Sequence, residues 1–321
     1  MSDPTPQREA VIIGYGFEYL VMALNCARSI RETNPDLLTT LITNLPVTDH
    51  MIGDRFDRVI RRDEGTERNR FVKTAVLDYT VARKVVYLDA DSEVLGDLTP
   101  AFRMLDRFDV LLKLHSEPST LRFELAREIS SQLFPHMSGA AAFFKDDRPA
   151  RQFLALWQQR MVESGLDRDQ PALARTVFDV AGQGILALNA TWSASAWERE
   201  NLVTPKHEPV RILHYGHPHL DPAVARNLDQ EFHRVVAVMP EELRATAEVH
   251  RVRKKLRLVK HPLFRWRLSR RGVLSLRYRW SRLTGDQEGL PRYTDRGSRA
   301  IGRPYRRDLG RLWTDESESW H

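Results

Sequence analysis

The chain has 321 residues, of which 42% are hydrophobic and 29% charged, with 13 Phe, 8 Tyr and 7 Trp. That size and composition suit one large α/β domain with an appendage, or two domains, and exclude a wholly disordered chain. No apolar run reaches the roughly 18–20 residues of a membrane span, the amino-terminal stretch lacks the pattern of a secretory signal, and a single cysteine, Cys26, excludes a disulfide framework or a Cys-rich zinc site. The expectation is a soluble, cytoplasmic protein. Charge is unevenly placed within the net +6: residues 250–283 hold thirteen Lys/Arg and no Asp/Glu, while 284–321 hold seven of each sign, so the remaining body is mildly acidic.

Taken in chain order, Val11-Ile12-Ile13-Gly14 reads as a first buried strand. Leu20, Leu24, Ala27, Ile30 and Arg31 then recur at helical spacing until Asn34-Pro35. Residues 38–43 predict a second strand, stopped by Asn44-Leu45-Pro46, and Phe71 to Tyr79 a helix. Val85-Val86-Tyr87-Leu88 is a continuous run of β-formers, as in a strand covered on both faces. Strands are also expected at 140–144 and 185–188, and helices at 148–163 and 171–177. Alternation of this kind predicts an α/β fold with a mainly parallel sheet. Beyond residue 245 the texture changes. Val252, Leu256, Val259, Leu263 and Trp266 share one helical face among basic residues, with Pro262 set to kink or break the helix. Residues 273–280 fit a strand or a helix equally, and the Gly/Pro-punctuated remainder reads as irregular. The composition shift divides the chain into 1–245 and a basic amphipathic and irregular extension, 246–321.

The segment with the clearest chemistry is Tyr87-Leu88-Asp89-Ala90-Asp91-Ser92-Glu93-Val94. Side chains two apart on extended backbone point the same way, so Asp89 and Asp91 can converge on one ion. They follow a buried strand, and ligands of open α/β sheets bind at the carboxyl ends of strands. Two bare carboxylates repel a phosphate, whereas with Mg²⁺ or Mn²⁺ between them they grip one. Asp-x-Asp is common by chance, and a second copy stands at Asp167–Asp169. The strand before the first copy and Val94-Leu95-Gly96-Asp97-Leu98 after it distinguish it.

The block from Lys73 to Leu98 resembles the central block of GT-A-fold glycosyltransferases, near the family 8 (glycogenin-like) group: a lysine-bearing helix, a strand ending in Leu-Asp-x-Asp, then Gly-Asp-Leu. Four further parts match in order: the opening helix from Tyr19 to Asn34 with its Arg-Ser-Ile-Arg-x-x-Asn-Pro ending, Ser138-Gly139-Ala-Ala-Ala-Phe-Phe, Asp169-Gln170-Pro-Ala-Leu, and Ile212-Leu213-His214-Tyr215-Gly216. The resemblance spans about residues 10–220. It implies a GT-A-type, Rossmann-like three-layer sandwich with a basic C-terminal helical appendage, and a hexosyltransferase-type enzyme moving a sugar from a nucleotide-diphosphate donor, a UDP-sugar first among them, to a glycan or lipid-linked acceptor.

The resemblance also implies roles, residue by residue. Asp89, Asp91 and His214 would ligate Mn²⁺ or Mg²⁺, the imidazole favouring manganese. Lys73 would approach the phosphates or the sugar, and Gly139 would leave room for the sugar ring. Asp169 and Gln170 would act catalytically in the donor–acceptor cleft, while the stretch from Ile13 through Tyr15 to Tyr19 would border the base and ribose. Met137 stands where the family's sugar-pocket motif has Asn, and the late motif is His-x-Gly without Lys-Pro-Trp. Whether the anomeric configuration is retained or inverted stays open.

Each feature has a plainer reading. His214 is also an ordinary loop histidine, Lys73 a solvated helix lysine, and Asp169-Gln170 before Pro171 a normal helix start. Gly14-Tyr15-Gly16 is not a dinucleotide fingerprint, because its third glycine position is Tyr19. The basic segment, with Phe264, Trp266, Tyr278 and Trp280 interleaved, suits an anionic membrane surface or packing on the acidic body better than nucleic acid. Two rivals remain: a haloacid-dehalogenase-like phosphohydrolase, which expects Thr or Val where Glu93 stands, and an inactive glycosyltransferase-like scaffold binding membrane or nucleic acid through its tail.

Overall fold

The computed structural model describes residues 7–63, 69–114, 137–165, 169–180, 184–195, 209–216 and 222–260. Residues 273–280, and the basic segment beyond Lys260, lie outside the described residues.

Ten strands are described: β1 (Arg8–Ile13), β2 (Leu38–Thr43), β3 (Arg58–Arg61), β4 (Lys84–Leu88), β5 (Ser92–Val94), β6 (Val110–Leu114), β7 (Met137–Lys145), β8 (Ile185–Leu188), β9 (Ala194–Ser195) and β10 (Ile212–His214). The helices are α1 (Gly16–Thr33), α2 (Asp49–Ile52), α3 (Asn69–Thr74), α4 (Thr99–Met104), α5 (Arg148–Ser164), α6 (Asp169–Asp179), α7 (Pro222–Val238), α8 (Glu241–Arg244) and α9 (Ala247–Lys260). Seven strands form the central sheet in the order β3-β2-β1-β4-β7-β6-β8, and β5-β10-β9 form a second, small sheet. In the central sheet β3, β2, β1 and β4 run parallel, β7 lies antiparallel between β4 and β6, and β8 is parallel to β6.

Alternation along the strands explains the three layers. Ala10, Ile12, Val86, Leu88, Leu111 and Phe143 face one side, where α1, α4, α7 and α9 pack. Val11, Ile13, Val85, Tyr87, Leu112 and Phe144 face the other, against α3, α5 and α6. Apolar side chains on both faces account for strands that read as unbroken hydrophobic runs. The outcome is the expected α/β sandwich, a mostly parallel sheet between helical layers. From β1 the chain steps outward to β2 and β3, then returns to β4 on β1's other side. The carboxyl ends of β1 and β4 therefore flank a topological switch point, the place where open α/β sheets bind their ligands.

The sequence-predicted helix over 71–79 is two pieces, α3 and a short 3-10 turn at Val76–Asp78. The basic helix starts at Ala247, and its Val249, Val252 and Leu256 belong to the same core cluster as α1 and α7. Two side chains join its first turns to the front of the molecule: Glu248 Oε1 accepts from the Phe17 N–H at 2.9 Å, and Lys255 Nζ donates to Glu18 Oε1 at 2.6 Å. None of the described helices is long and apolar enough to cross a membrane.

Candidate active site

The site grows out of the end of β4. The Asp89 N–H donates to the Ala140 carbonyl at 2.8 Å, which carries the pairing of β4 with β7 one residue past the strand. The chain then turns at Ala90 and enters β5, which pairs antiparallel with β10 so that Ser92 faces His214. The Tyr215 N–H donates to the Asp91 carbonyl at 3.0 Å. This pairing brings a histidine distant in sequence beside the two aspartates.

Helix α1 braces the same turn from below, and its Arg-Ser-Ile-Arg-x-x-Asn ending now has a structural reason. Arg28 Nη2 meets Glu93 Oε1 at 2.8 Å, Ser29 Oγ accepts from the Val94 N–H at 2.8 Å, and Asn34 Oδ1 accepts from the Leu98 N–H at 2.9 Å. Asn227 of α7 adds a second bond to Glu93 at 2.8 Å. Four residues from two helices thus fix the backbone that presents Asp91.

Asp89, Asp91 and His214 each offer one ligand atom, all within 4.8 Å of one another. His214 Nε2 lies 3.2 Å from Asp91 Oδ1 and 3.8 Å from Asp89 Oδ2. Two carboxylates and an imidazole are a fitting donor set for Mn²⁺ or Mg²⁺. The other oxygen of Asp89 is engaged by the protein: Oδ1 accepts from the Tyr87 hydroxyl at 2.7 Å and from Lys73 Nζ at 3.1 Å. Tyr87 stands two residues before Asp89 on the same side of the strand, so its hydroxyl and the ammonium turn Oδ2 toward His214.

Electrostatics agree with a place prepared for a cation. Burial and the adjacent Asp91 push the Asp89 carboxyl above its usual range against the pull of Lys73, while Asp91 is held low because His214 outweighs burial. Burial works against a charged His214, yet Asp91 and Asp89 raise it above the ordinary imidazole range. Burial likewise disfavours the Lys73 ammonium, and Asp169 and Asp89 more than offset it.

Lys73 is the hinge of this arrangement. Its Nζ sits 3.1 Å from Asp89 Oδ1 and 2.9 Å from Asp169 Oδ2, 4.9 Å over the Tyr87 ring and 5.7 Å from the Trp157 ring centre. It is buried and spent on two carboxylates; the sequence resemblance implied contact with phosphate or sugar. Gly139 makes that position available. A Cβ there would stand 2.9 Å from the Trp157 ring and 3.3 Å from Lys73 Nζ, so the space beside it goes to these two side chains.

Asp169 opens α6 and faces Lys73, and the Trp157 indole donates to its carbonyl at 3.0 Å. Gln170 turns to β7, its amide donating to the Met137 carbonyl and accepting from the Gly139 N–H. Tyr15 is buried in the core, whereas Tyr19, on the first turn of α1, is 47% exposed. Gly16 opens that helix at φ +75, a left-handed value that suits glycine. Asp89, Asp91, His214, Lys73, Asp169, Gln170 and Gly139 thus form one constellation, with Tyr19 at its rim. Sequence reading missed Tyr87, Arg28 and Glu93. The spacing of Tyr87 from Asp89, two residues on one strand, was the available signal for the first; the other two depend on how α1 lies on β5.

No protein-family model matches the chain, and no curated protein matches it. Among solved structures it is similar to mouse xyloside xylosyltransferase 1, with 11% identity, a TM-score of 0.47, and coverage of 65% of this chain and 97% of that one. It is also similar to the galactosyltransferase LgtC in complex with donor and acceptor sugar analogues, at 13% identity and TM-score 0.47, covering 74% of this chain and 99% of that one. A third, the glycosyltransferase GlyE of Streptococcus pneumoniae, matches at 14% identity and TM-score 0.47, with 78% of this chain and 63% of that one covered. The Asp-x-Asp turn and its histidine partner stand at the carboxyl end of β4, beside the switch point of a Rossmann-like sheet.

Proposed function

We propose that the protein is a metal-dependent glycosyltransferase that moves a sugar from a nucleotide-diphosphate donor, a UDP-sugar in the first instance, to a glycan or lipid-linked acceptor. The observation that carries the reading is the convergence of Asp89, Asp91 and His214 at the carboxyl end of β4, beside the switch point of the sheet. Asp89, Asp91 and His214 would hold Mn²⁺ or Mg²⁺, and a bound divalent cation supplies charge neutralisation for the diphosphate leaving group. In the transfer, the bond from the anomeric carbon to the diphosphate oxygen breaks and one to an acceptor oxygen forms, with loss of the acceptor's proton. The chain's contribution is orientation. Tyr87 and Lys73 fix Asp89, and Lys73 also holds Asp169 at the cleft wall. Preorganised charge of this kind is commonly the largest share of barrier reduction.

The proposal extends to location: a cytoplasmic enzyme held peripherally on an anionic membrane. Arg251, Lys254 and Lys255 are exposed on α9, and most of the thirteen positive charges follow them in sequence. Each basic residue near such a surface contributes about 1 kcal/mol.

A thermal-shift titration with UDP, GDP and CMP, each with and without Mn²⁺, tests the reading. A ligand at 100 times its Kd adds about 2.7 kcal/mol, equivalent to several degrees at this size. A metal-dependent shift with one nucleotide, absent in Asp89→Asn and Asp91→Asn, supports the transferase. No shift with any of the three overturns it for those donor classes, and binding without turnover of any sugar donor favours the scaffold.

A further inference from the structure

The charges facing the cleft are out of balance for the ligand proposed to enter it. Asp89, Asp91 and Asp169 bring three carboxylates; Lys73 is held by two of them at 3.1 and 2.9 Å, and His214 leans on the third at 3.2 Å. The amino end of the first helix, where many nucleotide-binding α/β folds hold phosphate, is already in use. The Gly16 N–H donates to Asn44 Oδ1 at 2.8 Å and the Phe17 N–H to Glu248 Oε1 at 2.9 Å. A cation between Asp89 and Asp91 would answer part of a diphosphate's charge, but Asp169 and the occupied amides offer it nothing further.

One cation stands outside this bookkeeping. Arg70 lies on α3 three residues before Lys73, one turn away on the same helical face. It is half-buried, and among the described residues no hydrogen bond or ion pair engages its guanidinium. Its charge nevertheless reaches both walls of the cleft. Burial and Asp91 hold the Tyr19 phenol above its ordinary range while Arg70 pulls the other way. On the opposite wall burial disfavours ionised Asp169, and Lys73 and then Arg70 favour it. A half-buried guanidinium that has no partner among the described residues, and whose charge bears on both Tyr19 and Asp169, is a donor fork open to an acceptor.

We propose that Arg70 grips the phosphates of a nucleoside diphosphate in this cleft, while Lys73, the lysine of the same helix, serves as the internal counter-ion of Asp89 and Asp169. The proposal rests on the transferase reading above. It assigns the two cations of α3 separate tasks: one satisfied by the protein, the other by the ligand.

Calorimetry of UDP and GDP in the presence of Mn²⁺, on the wild-type chain, Arg70→Ala and Arg70→Lys, tests it. The affinity of whichever nucleotide binds is expected to fall about tenfold to a hundredfold in Arg70→Ala, the range of a charge-assisted hydrogen-bond pair. Arg70→Lys should regain part of it, since an ammonium supplies charge without the fork. The matching nucleoside, followed by ligand-observed NMR, should bind wild type and Arg70→Ala alike, and the melting temperature and Mn²⁺ binding should be unchanged. Equal diphosphate affinity in wild type and Arg70→Ala overturns the role of Arg70 and leaves the transferase reading standing. Parallel loss of nucleoside and diphosphate overturns it in favour of a purely structural role. Failure of the wild type to bind either nucleotide removes both.

Discussion

Glu9 and Asp89 belong to neighbouring strands of one sheet, and their surroundings are opposites. Glu9, near the start of β1, has no exposed surface, and both its oxygens are fully used. Oε1 accepts from Thr40 at 2.6 Å and Arg58 at 2.9 Å, and Oε2 from the N–H groups of Val81 at 2.8 Å and Ala82 at 3.1 Å. Asp89, just past β4, has donors on one oxygen only, a second carboxylate alongside and an imidazole 3.8 Å from the other oxygen. A carboxylate whose lone pairs are all taken by protein is architecture. One left half-coordinated beside another acid points to a ligand from outside. Glu9 is closed to any ligand, and the corner at Asp89 is left open to one.

The sharpest way to break this contrast is Asp91→Asn. Loss of a direct ligand should exceed the effect of removing an outer hydrogen bond to a metal ligand, so Mn²⁺ affinity is expected to fall by more than about a hundredfold. Titration calorimetry reads it, and the melting temperature should fall slightly, because the folded chain favours an ionised Asp91 beside His214. At Glu9 the signature reverses. Glu9→Ala strands Arg58 and two amides, and should cost about 3 kcal/mol in a denaturant titration, the low end for a broken buried pair because Arg58 is partly exposed, with Mn²⁺ affinity unchanged.

The remaining two variants sharpen the comparison. Tyr87→Phe keeps the ring under Lys73 but removes the hydroxyl from Asp89. It should weaken Mn²⁺ about tenfold and stability by only about 1 kcal/mol, whereas an unchanged Mn²⁺ affinity would show that Lys73 alone orients the carboxylate. Glu248→Gln withdraws a negative charge from the amino end of α1, and about 0.5 kcal/mol is expected, lowering the melting temperature by one or two degrees.

The same contrast explains what could be read in the sequence. Residues 38–43 and 185–188 predict β2 and β8 to the residue, because each is a compact β-forming run. Helix α5 was equally plain: Asp147 caps it by accepting from the Ala150 N–H, and Gly165 ends it in a left-handed conformation. Edge strand β3 was missed because an arginine stands at each end of its four residues, so little apolar signal remains. Helix α7 was missed although Val224, Leu228, Phe232 and Val235 carry a helical stripe. At the site, Asp89 and Asp91 were visible as a local pattern. The bridging posture of Lys73 was not, because it depends on where α6 sets Asp169 and on the gap that Gly139 leaves for a lysine beside Trp157.

The reach of β10 has a consequence for how the molecule comes into being. His214, the third member of the cluster, is delivered by a strand about 120 residues downstream of the two aspartates, in the small sheet rather than the large one. Strands β1 to β4 can pair as they leave the ribosome, but the corner at Asp89 and Asp91 is incomplete until residue 214 has been synthesised and folded back against Ser92. Long-range closures of this kind are slow compared with local pairing. During synthesis the protein would therefore possess most of its scaffold well before the cluster of Asp89, Asp91 and His214 is complete.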